Sequence, residues 1–248
     1  DAAAAADGDV GAAGSGEGEF NQPADLALDA QGNVYVLDTW NHRVQKFDSE
    51  LDFVAAWGKS ATSLISPGED EMWGPRSIAV DWDGNVWVVD TGTSRIRKFS
   101  PDGKPLASAG GQGGGPGEFR EPVGIAIDAE ARQILVADVG NARIQRFDAA
   151  LRPIAQYAVK EWEDLEPTNK PDLAVLPDGR LLVSDPAHGR VLLMGTDGRV
   201  AASLDGVGGE ALAALRGIAF DEAGGFVFVS ESTAGRVRRF PLSDFARR

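Results

Sequence analysis

The sequence predicts an all-β fold: a five-bladed β-propeller, with six blades as the alternative, built from four-stranded antiparallel blades. A strand pattern that ends in an acidic residue occurs five times, and the acids are Asp38, Asp90, Asp138, Asp185 and Glu231. Successive acids are 52, 48, 47 and 46 residues apart, which is close to the repeat length typical of propellers. No segment has convincing helical periodicity. A ring of blades buries both faces of every such sheet.

Each unit contains four strand patterns in the same order. A first apolar run ends in an aspartate, as in Leu26 to Asp29, and a turn rich in Gly, Asp and Asn follows, which is typical of hairpins. The second run, such as Val86 to Val89, is apolar on both faces, as expected for a strand between two layers. A third run begins at an arginine, as in Arg43 to Phe47, and a weaker fourth run follows at Phe53 to Trp57.

The N-terminal segment supplies a strand that belongs to no unit. Residues 7–14 align with residues 102–109, whereas the fifth unit ends after its third strand. We therefore expect residues 1–19 to form a closing strand and linker, with Val10 to Ala13 paired to the third strand of the last blade. Residues 20–248 are then expected to form one propeller domain.

Composition excludes several classes of protein. The 248 residues include no cysteine, which rules out disulfides and cysteine-ligated metal sites. With 24 basic and 38 acidic residues the net charge is −14, so we expect no binding to nucleic acid, which requires a concentrated basic face. No long apolar run predicts membrane insertion by this segment. We expect a monomeric domain of a larger protein, with a slight preference for an extracytoplasmic bacterial location.

The segments after two of the acids carry a recognisable motif. Asp38 is followed by Asn41 and Arg43, and Asp138 by Asn141 and Arg143, so the units resemble NHL repeats over about residues 7 to 248. The resemblance implies a propeller of a family that includes binding domains, RNA-binding domains, receptor sensor domains and one lyase type that depends on metal and histidine. Well-known members are six-bladed, and the fourth and fifth copies here depart from the motif at residues 186–189 and 232–235.

Every acid is followed five residues later by an arginine. A ring of catalytic carboxylates is one interpretation. The favoured one is a structural clasp across the turn, because a device present in every blade does not mark one place on the ring. The predicted clasps are Asp38 with Arg43, Asp90 with Arg95, Asp138 with Arg143, Asp185 with Arg190, and Glu231 with Arg236.

The residues just before each first strand differ between units and are the better candidates for binding. They are Asp25, Ser77, Gly124, Asp172 and Gly217, and Arg76 and Arg216 directly precede two of them. These acids and arginines would bind a ligand at the channel mouth or, equally, form ion pairs with one another. No cofactor is required, but calcium or magnesium at the carboxylates is a second option.

Three tryptophans fall in loops predicted on the same face. Trp40, Trp73 and Trp162 lie in these loops, the latter two beside the acidic clusters 69–71 and 161–164. Exposed tryptophan beside charge is typical of partner surfaces, although Trp73 and Trp162 would also fit as caps over the gaps between blades. The two histidines, His42 and His188, are interpreted as turn residues, and the glycine-rich residues 110–117 as a connection rather than a phosphate cradle.

These observations favour a non-catalytic recognition or scaffold domain that binds a protein, peptide, glycan or small ligand at the channel-mouth face. The alternative is a cation-dependent propeller hydrolase or lactonase with Asp25 and Asp172 at the channel. A purely architectural role is a third possibility. The scarcity of histidine and the lack of a Ser-His-Asp or paired-glutamate pattern favour the first interpretation.

Overall fold

The computed structural model describes residues 9–163 and 170–246 and confirms the predicted fold class, a five-bladed propeller of antiparallel sheets. The chain falls into two compact units, residues 1–108 and 109–248. This division does not test the predicted boundary between the closing strand and the propeller at residue 19. Within the described ranges, no helix is long and apolar enough to cross a membrane.

The first unit holds blades one and two, each a four-stranded sheet whose strands follow chain order. Two short parallel pairs precede the blades in the chain. The strands are β1 (Ala12–Ala13), β2 (Glu19–Phe20), β3 (Pro23–Leu28), β4 (Val34–Asp38), β5 (Arg43–Phe47), β6 (Phe53–Trp57), β7 (Lys59–Ser60), β8 (Glu71–Met72), β9 (Ser77–Val80), β10 (Val86–Asp90), β11 (Arg95–Phe99) and β12 (Pro105–Gly110).

The second unit holds blades three, four and five. Blades three and four have four strands, and among the described residues the fifth blade has three. The strands are β13 (Pro122–Asp128), β14 (Gln133–Asp138), β15 (Arg143–Asp148), β16 (Pro153–Ala158), β17 (Leu173–Val175), β18 (Leu181–Asp185), β19 (Arg190–Met194), β20 (Val200–Leu204), β21 (Gly206–Val207), β22 (Glu210–Ala211), β23 (Leu215–Asp221), β24 (Phe226–Glu231) and β25 (Arg236–Pro241).

The turns between first and second strands form as the sequence predicts. Asp29 accepts hydrogen bonds from the backbone N–H groups of Gln31 and Asn33, each at 3.0 Å. Gly32 has a φ of 84°, a conformation that glycine adopts without a steric penalty. Asp81 and Gly84 repeat this arrangement in blade two.

A single turn of 3-10 helix connects the second strand to the third in blades one to three. The turns are Thr39–Asn41, Thr91–Thr93 and Val139–Asn141. A left-handed residue ends each turn, and in blade one this residue is His42, with a φ of 55°. The chain therefore reverses sharply, which places the end of one strand beside the arginine that begins the next.

Apolar side chains pack between neighbouring blades inside each unit. In the first unit, Tyr35, Leu37 and Val44 of blade one form one buried cluster with Val88 and Phe99 of blade two. In the second unit, one cluster joins blades three and four, and another joins blades four and five. Burial on both faces explains why the second strands are apolar throughout.

The structure corrects the predicted partner of the N-terminal strand. Ala12 and Ala13 pair with Glu19 and Phe20, not with the third strand of blade five. The physical reason is that this pairing forms within a short loop of the chain. The same parallel pairing occurs in the loop before each of the next two blades, which we call the lead-in loop of that blade, at β7 with β8 and at Gln112 with Phe119. Residues 12–20 are therefore the lead-in loop of blade one. Asp7 and Gly8 of the predicted closing strand lie outside the described residues.

Candidate functional site

The repeated acids organise the turn and the lead-in loop of each blade. In blade one, Asp38 Oδ2 accepts hydrogen bonds from Asn41 at 2.8 Å and from Arg43 Nε at 2.9 Å. Its Oδ1 accepts the backbone N–H of Asn21 at 2.7 Å, and the Arg43 guanidinium continues to the carbonyls of Gly16 and Glu19. The carboxylate is fully buried. Its described contacts are therefore structural.

The same geometry recurs in the other blades, with substitutions. The arginine five residues on pairs with the acid at 2.7 Å for Asp138–Arg143, 2.8 Å for Asp185–Arg190 and 2.7 Å for Glu231–Arg236. In blade four, His188 Nδ1 lies 2.9 Å from Asp185 and takes the place of the motif asparagine.

Blade two departs from the predicted pairing of Asp90 with Arg95. Arg97 Nε donates to Asp90 Oδ2 at 2.8 Å, and the Thr93 hydroxyl donates to the same oxygen. Arg97 stands where Gln45 and Gln145 contact the acids of blades one and three, on the strand face that points at the carboxylate. Burial raises the pKa of Asp90, and its bonds to Thr93, Trp73 and Arg97 partly offset that rise.

Asp25 lies within β3 and Asp172 directly before β17, and each carboxylate accepts a hydrogen bond from the first strand of the following blade. Asp25 Oδ2 accepts the Ser77 hydroxyl at 2.8 Å and the backbone N–H of Ile78 at 2.9 Å. Asp172 Oδ2 accepts the backbone N–H of Ile218 at 3.1 Å. Each acid therefore links two neighbouring blades of its own unit.

The surroundings of Asp25 make it a buried acid. A register irregularity between Pro23 and Asp25 turns its side chain toward the next blade, and Leu26 N–H binds its second oxygen at 2.8 Å. Burial raises the pKa of Asp25, and the bonds from Ile78, Ser77 and Leu26 work against that rise. Calcium or magnesium at these acids stays a prediction. Over residues 9–163 and 170–246, no group of three or more histidine, aspartate or glutamate side chains is arranged to hold a metal ion.

Three of the predicted binding residues lie together in the first unit. Trp40 and Trp73 flank His42, and Arg76 lies over Trp40; we call these four residues the tryptophan–histidine surface. His42 stacks on Trp73 with ring centroids 4.8 Å apart and an interplanar angle of 15°, and it meets Trp40 edge-on at 6.2 Å. Trp40 and Trp73 are 38% and 39% exposed, so the surface is open to solvent.

Hydrogen bonds hold the two indoles in place. Trp40 Nε1 donates to Gln22 Oε1 at 2.9 Å. Trp73 presents its backbone N–H to Asp90 Oδ1 at 2.8 Å and its carbonyl to Gly92 N–H at 3.0 Å. Gly92 lies so close that an added Cβ would stand 2.4 Å from Trp73 Cδ1. The buried acid of blade two therefore positions an exposed tryptophan.

The contacts and the burial of His42 favour the neutral form of its ring. Its Nδ1 accepts the backbone N–H of Gly74 at 3.1 Å, so the ring proton sits on Nε2. Burial lowers the pKa of His42, and the negative charges of Asp90 and Asp38 only partly oppose this. Sequence reasoning interpreted His42 as a turn residue and missed its stacking role. The available signal was its place two residues after Trp40 in the turn.

Arg76 packs over the ring of Trp40. Its guanidinium carbon lies 5.5 Å from the centre of the Trp40 ring, within the range of a cation–π interaction. Asp25, the carboxylate of the same unit considered as its partner, binds Ser77, Ile78 and Leu26 instead. No ion pair or hydrogen bond involves this guanidinium within the described part of the chain.

Two predicted binding residues of the second unit have other surroundings. Trp162 is 1% exposed and packs in the cluster between blades three and four, which corrects its assignment as a binding residue. The reason is the 3-10 turn Lys160–Trp162, which points the indole into the gap between blades. Arg216 is exposed, with its Nε 3.4 Å from the Ser232 hydroxyl. Asp164, of the second acidic cluster, lies outside the described residues.

Comparison with known proteins supports the repeat assignment. The model of the NHL repeat matches residues 20–47, 72–99 and 119–147, which hold the first three strands of blades one to three. A probable peptidyl-α-hydroxyglycine α-amidating lyase of Caenorhabditis elegans is 32% identical over 141 residues, covering 55% of this chain and 39% of that protein. NHL repeat-containing protein 3 of Mus musculus is 28% identical over 159 residues, covering 61% of this chain and 44% of that protein.

A solved structure gives the same fold. An inactive virginiamycin B lyase from Staphylococcus aureus, crystallised with quinupristin, superposes with a TM-score of 0.62 at 14% identity, covering 92% of this chain and 71% of that one. At this identity the likeness concerns the fold alone. The chain spans less than half the length of the two relatives named above. Three segments of this chain thus match the NHL repeat, and its sheet topology is that of a β-propeller.

Proposed function

We propose that this chain is a non-catalytic recognition domain that binds a protein, peptide, glycan or small ligand at the tryptophan–histidine surface. One observation carries the proposal. Two indoles stay half-exposed, one fixed by a hydrogen bond from its Nε1 and the other by backbone hydrogen bonds and stacking on His42, instead of being buried as Trp162 is. Aromatic side chains that are rigid before binding lose little entropy on binding, which is why they dominate recognition surfaces.

The repeated acids support a binding role over a catalytic one. Their oxygens are occupied by arginine, by turn side chains and by backbone N–H groups, as shown for Asp38 and Asp138. A general acid or base needs contact with its substrate. The four residues of the tryptophan–histidine surface, by contrast, all lie within residues 1–108, as expected for a single binding site.

The test is ligand screening on peptide and glycan arrays with matched variants. We expect selective binding by the wild type and loss of that binding in Trp40→Ala and Trp73→Ala, both checked by thermal melting. Leu106→Ala is the control, because Leu106 is also an exposed apolar side chain but lies on the outer strand β12. Binding that survives both tryptophan substitutions, or that Leu106→Ala also removes, would contradict the proposal.

The second candidate is an enzyme that uses a divalent cation with carboxylate ligands such as Asp25. The similarity to an amidating lyase favours it. Oxygen ligands of this kind suit calcium or magnesium. Calorimetric titration of calcium into the wild type, Asp25→Asn and Asp172→Asn separates the two candidates. Micromolar affinity that either substitution abolishes would favour the enzyme over the recognition domain.

A further inference from the structure

We infer that the tryptophan–histidine surface recognises the free C-terminal carboxylate of a peptide, with Arg76 as the residue that binds the carboxylate. This inference rests on the proposed recognition function and specifies its ligand.

Arg76 has the chemistry of an anion-binding residue. Its guanidinium lies over the face of Trp40, and this stacking leaves the in-plane N–H groups available. Across the described residues it has no acidic partner, although the chain carries 38 acidic side chains. A guanidinium fork matches the two oxygens of a carboxylate.

The open parts of the tryptophans disfavour a sugar as the ligand. A sugar ring needs an uncovered aromatic face to stack on. Arg76 lies over one face of Trp40, and His42 lies over one face of Trp73 while Gly92 presses against that indole. One face of each indole is therefore already covered, which leaves less ring face for a sugar, and the remaining aromatic surface suits contact with apolar or aromatic side chains.

The loop before blade two carries two exposed apolar residues. Leu64 and Ile65 are 49% and 86% exposed. The Ile65 carbonyl lies 3.4 Å from Arg95 Nη2, and Arg95 follows the turn on which Trp73 packs. Trp73 and this loop therefore flank the same turn. An extended ligand such as a peptide would contact both, with its carboxylate at Arg76 and apolar side chains beside Trp73 and Ile65.

The experiment compares two peptides that differ only at the C-terminus. The probes are an N-acetylated pentapeptide ending in Leu-Phe with a free carboxylate and the same peptide with a carboxamide, titrated by calorimetry. We expect the carboxylate form to bind about tenfold more tightly, the effect of a charge-assisted hydrogen-bond pair. Arg76→Gln should remove the difference between the probes, and Arg76→Lys should retain part of it.

Two variants control for other effects. Arg216→Gln changes the arginine at the equivalent position of blade five and should leave both affinities unchanged. Ile65→Ser should weaken both peptides equally, because it removes an apolar contact and no charge. Melting curves confirm that each variant is folded.

Several results would overturn the inference. They are equal affinity for the two peptides, discrimination that survives Arg76→Gln, equal loss in Arg216→Gln, no saturable binding of either peptide at millimolar concentration, or tighter binding of glucuronic acid than of the carboxylate peptide. If the arrays identify a ligand without a carboxylate that depends on Trp73, this inference fails and the proposed recognition function stands.

Discussion

The buried carboxylate that ends each second strand is the residue on which the local structure of a blade depends. In blade two, Asp90 neutralises Arg97, a guanidinium that is 2% exposed and also donates to the carbonyls of Gly68 and Glu69. In blade five the arginine next to Glu231 is 43% exposed. The same motif therefore carries different energetic weight in different blades.

Asp90→Ala should lower the free energy of unfolding by about 3–5 kcal/mol, because it leaves a buried guanidinium without its partner. Chemical denaturation measures the loss, and Glu231→Ala is the matched comparison. Its effect should be smaller, since water solvates the freed Arg236, which is 43% exposed, and Arg238 keeps its ion pair with Glu210 at 3.0 Å. Equal losses in the two variants would show that burial of the arginine is not the cause.

Asp25 is expected to give a pH dependence of its own. Burial raises its folded-state pKa above the ordinary value of 3.8, so the folded protein holds that proton more tightly than the unfolded chain. The stability this adds is present below pH 3.8 and is lost as pH rises through the folded pKa. Asn carries no charge at any pH. Asp25→Asn should therefore be most destabilising at low pH and least destabilising at about pH 7.

Denaturation of wild type and Asp25→Asn across this pH range measures the difference. Asp148→Asn serves as the control, because the pKa of Asp148 is lowered by its bonds to Arg152 and Ala150 and its trend should run in the opposite direction. A constant difference between wild type and Asp25→Asn at every pH would contradict the expected proton linkage.

At the scale of elements, the lead-in loops share a glutamate that closes them. Glu19 accepts the backbone N–H groups of Ser15 and Gly16, and Glu118 accepts that of Gly115. Glu71 accepts the N–H groups of Gly68 and Thr62 and the Thr62 hydroxyl. The arginines of the clasps bind carbonyls of the same loops, as Arg43 does at Gly16. Each lead-in loop is thus held by a glutamate within the loop and by an arginine of its own blade.

Glu71→Ala should open the loop between residues 62 and 70 without unfolding the blade. Bonds from Gly68 and Thr62 lower the pKa of Glu71 below its ordinary 4.5, so its contribution is present above pH 4.5 and is lost as pH falls through the folded pKa. Hydrogen exchange of the Gly68 amide measures this. Exchange should become faster in the variant, and in the wild type protection should be lost on acidification. Unchanged protection in Glu71→Ala would mean that Arg97 alone holds the loop.

At the scale of the whole molecule, the charge balance limits the class of partner. The net charge is −14, and many of the 24 basic side chains are committed to ion pairs with acids, as Arg43, Arg143 and Arg190 are. We expect no useful affinity for RNA. Filter binding with single-stranded RNA at about 150 mM salt tests this. Tight binding with a steep dependence on salt would contradict it, because only phosphate contacts produce such a slope.

Repetition is what made the fold readable from the sequence. Five acids at near-constant spacing, apolar second strands and turn residues such as Gly32 each follow from short-range chemistry that every blade repeats. The clasps of Asp38, Asp138, Asp185 and Glu231 were predictable for the same reason, since acid and arginine lie at facing ends of adjacent strands. The sequence by itself therefore determined the fold class, the blades and most of their internal ion pairs.

Contacts that depend on the direction of a side chain or on packing between blades were decided only by the tertiary structure. Whether Asp90 meets Arg95 or Arg97 depends on which side chain points at the carboxylate, and whether Trp162 is exposed depends on the packing of two blades. The same holds for the stacking of His42 on Trp73, which lie 31 residues apart, and for the placement of Arg76 on Trp40. The direction of a side chain and the packing between blades depend on residues that meet only in the folded chain. The sequence separation of such residues follows no fixed pattern, so it could not be predicted from the repeat.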